Sequence, residues 1–195
     1  MLIIVSTLLS LAFPDAGSSN NWDQWRGPNR DARLPESSAP WPETLKETNL
    51  IRSWRVEMGP GYPGPVVDST RVYTAETASA RDEIAKAFDR STGKLVWQAS
   101  WPGAMSVPFF AKRNGDWIRS TPALDGDSIY IAGIRDVLVK LDSKTGREHW
   151  RVDFVERFKS PLPAFGFVCS PMIDDTGVYV PVSYTHLRAH ETRED

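Results

Sequence analysis

The chain has 195 residues, 23 Lys and Arg against 25 Asp and Glu, a net charge of −2, one cysteine and eight tryptophans. The length fits one domain, the near-neutral charge leaves no basic footprint for nucleic acid, and a single cysteine excludes an internal disulfide framework or a zinc site built on paired thiolates. An apolar content of 41% with 25% charged residues is globular rather than disordered, and the tryptophan excess calls for a search for repeats.

Met1–Phe13 reads MLIIVSTLLSLAF, an uncharged apolar run. It is shorter than the roughly 20 residues a membrane-spanning helix needs, and it has the length of a signal-peptide core. Ser10, Ala12 and Ala16 offer small residues for cleavage, and the polar stretch DAGSSNN follows. Residues 1–16 are therefore expected to be a signal peptide, although no basic n-region precedes the apolar run. Export to the periplasm or the medium follows, with no transmembrane segment left after removal. Residues 17–49 form an extended N-terminal segment containing NWDQWRGPNRD at 21–31.

From residue 50 onward, related segments recur. LIRSWRVEM at 50–58 holds a Trp strand. GPVVDSTRVYTAE at 64–76, STPALDGDSIYIAG at 120–133 and SPMIDDTGVYVP at 170–181 each open on a proline, and a tyrosine follows eight residues later: Pro65 with Tyr73, Pro122 with Tyr130, Pro171 with Tyr179. AFDRSTGKLVWQASW at 87–101 and KLDSKTGREHWRVDF at 140–154 share Asp, Thr-Gly, a basic residue and Trp at fixed offsets. In the turn DxxTG, Asp89 or Asp142 can accept from backbone N–H groups two residues on, and Gly93 or Gly146 supplies a positive φ. The β-branched and aromatic runs between turns are strand chemistry, and helical periodicity is absent after residue 50. Four short strands per unit, a period of about 50 residues and one Trp per unit describe a propeller blade. The expected architecture is all-β, a partial β-propeller of four-stranded antiparallel blades over 50–181. It comprises an outer strand at 50–57, blades at 64–101 and 119–154, and a half blade at 167–181.

The repeat resembles the quinoprotein-type, PQQ-like β-propeller repeat, whose core reads roughly VY…ALD..TGK..W. NWDQWRGPNRD and WPGAMSVPFFAKRNGDWIRSTPA (101–123) resemble a subgroup of exported bacterial proteins, many from planctomycete-like genomes. The resemblance implies rings of seven or eight blades, of which about two and a half are present here. It also implies that Trp54, Trp97 and Trp150 lock each blade onto its neighbour. The cofactor PQQ is implied by this resemblance only.

Function in such a scaffold is expected in the long inter-blade loops, Pro102–Ile118 and Glu156–Gly166. The first carries Phe109, Phe110, Lys112, Arg113, Asn114, Asp116 and Trp117; the second carries Arg157, Lys159 and Phe165. Lys112, Arg113, Asp116, Trp117, Arg119 and Arg135 are the candidate ligand residues, for an anionic or sugar-like ligand with Trp117 as a stacking platform. The competing reading is that the two loops pack on each other and cap the face. No catalytic or metal-ligating residue is singled out. A quinoprotein dehydrogenase needs a calcium site of six to eight oxygens, whereas Asp68, Asp125 and Asp127 read as turn residues, and no adjacent cysteine pair exists. Cys169 reads as a small core residue, His149 as an ordinary strand residue, and Asp82-Glu83 and Arg135-Asp136 as solvated hairpin charges.

Val182–Thr192 reads VSYTHLRAHET. A transposon-end sequencing adapter, translated from its third base, gives Val-Ser-Tyr-Thr-His-Leu-Arg-Ala-His-Glu and the start of a Thr codon. Residues 182–195 are accordingly read as an artefact outside the fold, so His186, His190 and Glu191 do not count as a metal motif. Three functions stand in order. The first is a non-catalytic exported scaffold or binding module, like the outer-membrane assembly lipoproteins that share the repeat, with a protein or glycan on the loop face. A PQQ-dependent dehydrogenase and a carbohydrate-associated propeller follow.

Overall fold

Strand and turn chemistry alternate along the chain, and the computed structural model, which describes residues 21–34, 43–47, 50–159 and 161–181, folds accordingly. The expected signal peptide at 1–16 and the segment 182–195 lie outside the described residues. Four strands, β1 (Val66–Val67), β2 (Arg71–Thr77), β3 (Asp82–Asp89) and β4 (Leu95–Pro102), pair in chain order as one antiparallel sheet. A second sheet repeats the pattern with β5 (Ala123–Asp125), β6 (Ser128–Gly133), β7 (Val137–Asp142) and β8 (Glu148–Asp153). The short helix α1 (Phe154–Phe158) follows, and β9 (Met172–Asp174) and β10 (Gly177–Tyr179) make the first hairpin of a third unit. These are two complete propeller blades and half of another.

The DxxTG turns form as their chemistry requires. Asp89 Oδ1 accepts from the Ser91 and Thr92 amides at 3.1 and 2.8 Å and from both of their hydroxyls. Asp142 Oδ1 does the same for Lys144, Thr145 and the Thr145 hydroxyl. Gly93 and Gly146 take φ of 70° and 73°, a conformation that costs any side-chain-bearing residue free energy. Each turn is followed by a register shift at the same place, after Ala87↔Trp97 in one blade and after Lys140↔Trp150 in the other. The bulge re-aims the strand that carries the tryptophan.

Period-two alternation sends neighbouring side chains to opposite sides of each sheet. Ile129, Ile131, Val137, Val139 and Leu141 face the first blade, where they meet Tyr73, Ala85, Ala87, Trp97 and Trp101. Tyr130, Ala132, Leu138, Val152 and Phe154 face the third unit and pack with Phe167, Val178 and Val180. The core therefore lies between blades, which couples each blade to its neighbours.

Trp97 donates from Nε1 to the Ser143 carbonyl at 2.9 Å, with its ring on Gly146 of the next blade's DxxTG turn; a Cβ there would stand 2.5 Å from the ring. Trp54 repeats this one blade earlier, with Nε1 on the Arg90 carbonyl at 2.8 Å and its ring on Gly93. Trp150 packs at the edge of the second core, its ring 6.0 Å from Tyr130, as Trp97 stands 6.0 Å from Tyr73. One expectation is corrected: residues 50–57 form no strand. A fourth strand needs a third to pair with, and none among the described residues offers an edge there. The segment is held to the first blade through Trp54, and just beyond it Glu76 Oε2 accepts from Gly59 N and the Pro60 carbonyl accepts from Thr77 N.

Candidate functional site

Chain direction places the two inter-blade connections on one face. Successive strands are antiparallel, so the β4–β5 and β8–β9 connections share a face with the β2–β3 and β6–β7 turns. The DxxTG turns lie on the opposite face. The first connection contains a 3₁₀ helix, Phe109–Asn114; the second begins with α1, whose first turn is capped by Asp153 Oδ1 accepting from Glu156 N.

Both connections are fastened to the blades. The Arg81 carbonyl accepts from Gly103 and Ala104, Thr77 Oγ1 accepts from Ile118 N at 2.9 Å, and the Ile134 carbonyl accepts from Phe167 N at 2.8 Å. Arg119 joins the connections to each other, donating to the Phe165 carbonyl and to the Gly115 carbonyl, each at 2.9 Å. Above this base Phe110 stands edge-on to Phe109 and to Phe165, with ring centroids 5.5 and 6.1 Å apart. These rings remain 85% (Phe109), 66% (Phe110) and 53% (Phe165) exposed, so the contact between the loops does not bury them. Exposed apolar surface on a tied-down loop makes this face a candidate for interaction.

The six candidate residues divide. Lys112 and Arg113 are exposed in the last turn of the 3₁₀ helix beside Phe109 and Phe110. Asp116 and Trp117 are half-buried, and the Trp117 ring lies against Gly115 and 5.6 Å from Tyr62, whose hydroxyl donates to the Asn114 carbonyl. Arg119 is committed to holding the loops. Arg135, on the β6–β7 turn, directs its guanidinium to Asp153 at 3.6 Å.

Two inter-blade contacts escaped sequence reasoning. Glu83 and Asp136, expected as solvated hairpin charges, are 0% and 2% exposed. They occupy corresponding places at the start of the third strand of each blade, and the Glu83 side chain reaches the next blade. Glu83 Oε1 accepts from Ile134 N of the second blade at 2.9 Å and Oε2 from Trp101 Nε1 at 3.0 Å. Burial pushes its carboxyl up to about 8, and these two N–H donors oppose the shift. Gly103 and Gly133 make room for it, since a Cβ at either would come within 2.6 or 2.2 Å of the carboxylate. The second contact involves the residue before each blade-opening proline. Gly64 N donates to Thr121 Oγ1 and Thr121 N to Ser170 Oγ, each at 3.0 Å, so each blade's N–H is capped by the next blade's hydroxyl. Three x-Pro dipeptides at equivalent positions carried that signal; the partners lie too far apart in sequence to be read. Cys169, expected in the core, is exposed, because β9 begins only at Met172 and the cysteine precedes the ladder.

Among the described residues no three of His, Cys, Asp and Glu gather around a point. The turn carboxylates are committed locally: hydroxyls and amides of its own turn hold Asp89 down at about 2, and the same contacts lower Asp142 and Asp174. No helix among the described residues is long and apolar enough to cross a membrane.

The family model described as outer membrane protein assembly factor BamB matches residues 80–194, more than half of the chain. Its range runs through the segment read above as adapter-encoded. No curated protein matches significantly. Among solved structures, BamB from Moraxella catarrhalis aligns with 17% identity and a TM-score of 0.42, over 59% of this chain and 32% of that one. A quinohemoprotein alcohol dehydrogenase from Comamonas testosteroni aligns with 22% identity and a TM-score of 0.42, over 61% of this chain and 16% of that one. A europium-containing methanol dehydrogenase aligns with 17% identity and a TM-score of 0.43, over 60% and 19%. The chain thus spans a third or less of the length of each.

Proposed function

The chain belongs to the family described as outer membrane protein assembly factor BamB, and on that premise we propose that it is part of an exported β-propeller that binds a protein partner and performs no catalysis. The observation that carries this reading is the row Phe109, Phe110 and Phe165, exposed on loops that Arg119 and the blade turns hold in place. Aromatic side chains on a rigid base bury large area at little cost in conformational entropy. Lys112 and Arg113 at its rim favour a partner with acidic side chains around an apolar patch. By analogy with the family's described role, that partner belongs to outer-membrane protein assembly, and the apolar run at 1–13 supports export.

The test is co-purification of the full-length protein with its partner from the envelope of its host, comparing wild type with Phe110→Ser and Arg113→Glu. Both changes are on the surface, so folding is preserved. Loss of a defined assembly protein in the variants, with retention in Leu95→Ser on the outer rim, is the expected result. Unchanged co-purification in Phe110→Ser rules the loop face out.

A further inference from the structure

The N-terminal stretch 21–34 has no strand or helix of its own, yet it touches three successive blades. Trp22 exchanges both backbone hydrogen bonds with Val67 of β1, each at 2.8 Å. The Asp23 carbonyl accepts from Leu124 N of β5 at 2.7 Å. The Arg30 guanidinium reaches the Pro171 carbonyl, just before β9, at 3.2 Å. β1 and β5 are the innermost strands of their blades, and β9 opens the third unit, so the segment crosses the edge that faces the propeller axis.

It does so against its own backbone preference. Arg26, Arg30 and Ala32 take φ of 68°, 56° and 60°, beside Gly27 at 80°. Non-glycine residues pay for this conformation and keep it only where tertiary contacts over-determine it. Here Gln24 holds the turn from within, its Nε2 donating to the Pro28 carbonyl at 2.9 Å and its Oε1 accepting from Arg30 at 3.3 Å.

We infer that residues 22–32 form a strained inner strap that seals the axis-facing edges of the blades and opens by local release while the blades stay folded. Closed, it occupies backbone groups of Val67 and Leu124 that would otherwise present an unpaired strand edge, the surface most prone to recruit another chain. Open, it uncovers that edge.

Hydrogen exchange of the full chain tests this through the Val67 and Leu124 amides, with Ile131 and Val139 in the second blade as internal controls. Ala32→Gly removes left-handed strain without removing a contact and is expected to slow exchange at Val67 and Leu124 about fivefold. Arg30→Gln removes the link to Pro171 and is expected to speed both about tenfold, leaving Ile131 and Val139 unchanged. The inference is overturned if Ala32→Gly leaves both reporters unchanged or speeds them. It is equally overturned if Arg30→Gln accelerates the controls with the reporters, since the strap would then open only with the blades.

Discussion

Replacing Glu83 should separate two consequences of burying a carboxyl between blades. In Glu83→Ala, Ile134 N and Trp101 Nε1 both lose their acceptor in a site with no solvent access. Each unsatisfied N–H costs about 1–3 kcal/mol, so the loss is about 4 kcal/mol before any cavity is counted. Glu83→Gln keeps one acceptor but turns an NH2 toward the other donor, for about 1–3 kcal/mol. The two also differ from wild type in pH dependence. The carboxyl ionises near its ordinary 4.5 in the unfolded chain and near 8 in the folded one. The folded state therefore binds more protons in between, so the protonated acid's contribution is complete below about pH 4.5 and lost as pH rises through 8. The full change is on the order of 5 kcal/mol. Urea unfolding followed by tryptophan fluorescence at pH 5, 7 and 9 reads both effects. Wild type should weaken from pH 5 to pH 9, and Glu83→Gln should be less stable at pH 5 yet nearly flat. Parallel pH slopes for the two would refute the burial of an ionisable Glu83 between the blades.

Other substitutions probe the repeated contacts. Trp97→Phe keeps most of the ring but frees the Ser143 carbonyl, and should cost about 1–2 kcal/mol in the same unfolding assay. Gly126 and Gly146 both have positive φ, but an added methyl meets nothing within 4 Å at Gly126 and the Trp97 ring at 2.5 Å at Gly146. Gly126→Ala should therefore lose only the backbone preference, about 1 kcal/mol, and Gly146→Ala clearly more; equal losses would count against tryptophan docking on the turn. Thr121→Val preserves shape while uncapping Gly64 N, for about 1–2 kcal/mol by denaturation, with Thr121→Ser restoring most of it. The lowered Asp89 carboxyl places its turn's acid limit near pH 2: the contribution is present above the ordinary carboxylate range and fades as pH falls through 2, which exchange at the Gly93 amide would follow.

Contacts within a blade were legible in the sequence because they are local. Asp, Thr and Gly within five residues specify their turn, and alternation within β6 and β7 tells which side chains point to which neighbour. The tryptophan at a fixed place after each turn marked the docking position. Contacts between blades were legible only where they repeat in kind. Glu83 has Asp136 as its counterpart, yet a charged pair at a hairpin usually faces water, and nothing local distinguishes one that tips between sheets. The hydroxyl of Thr121 before Pro122 acts on Gly64, a residue that lacks the hydroxyl itself, so the repeat conceals the contact. The segment 50–57 shows the opposite error: strand propensity and a tryptophan promised an outer strand, but pairing requires a partner edge that composition cannot supply. At the candidate site, Arg119 and Arg135 serve the scaffold, while Lys112 and Arg113 stay exposed beside the phenylalanine row.

The proposal that the propeller binds and does not oxidise is tested most directly by assaying the full-length protein for dye reduction with PQQ and Ca²⁺, together with equilibrium binding of PQQ. The expected result is neither saturable PQQ binding nor cofactor-dependent reduction across a panel of alcohols and sugars. Reduction that requires both PQQ and Ca²⁺ would contradict the account.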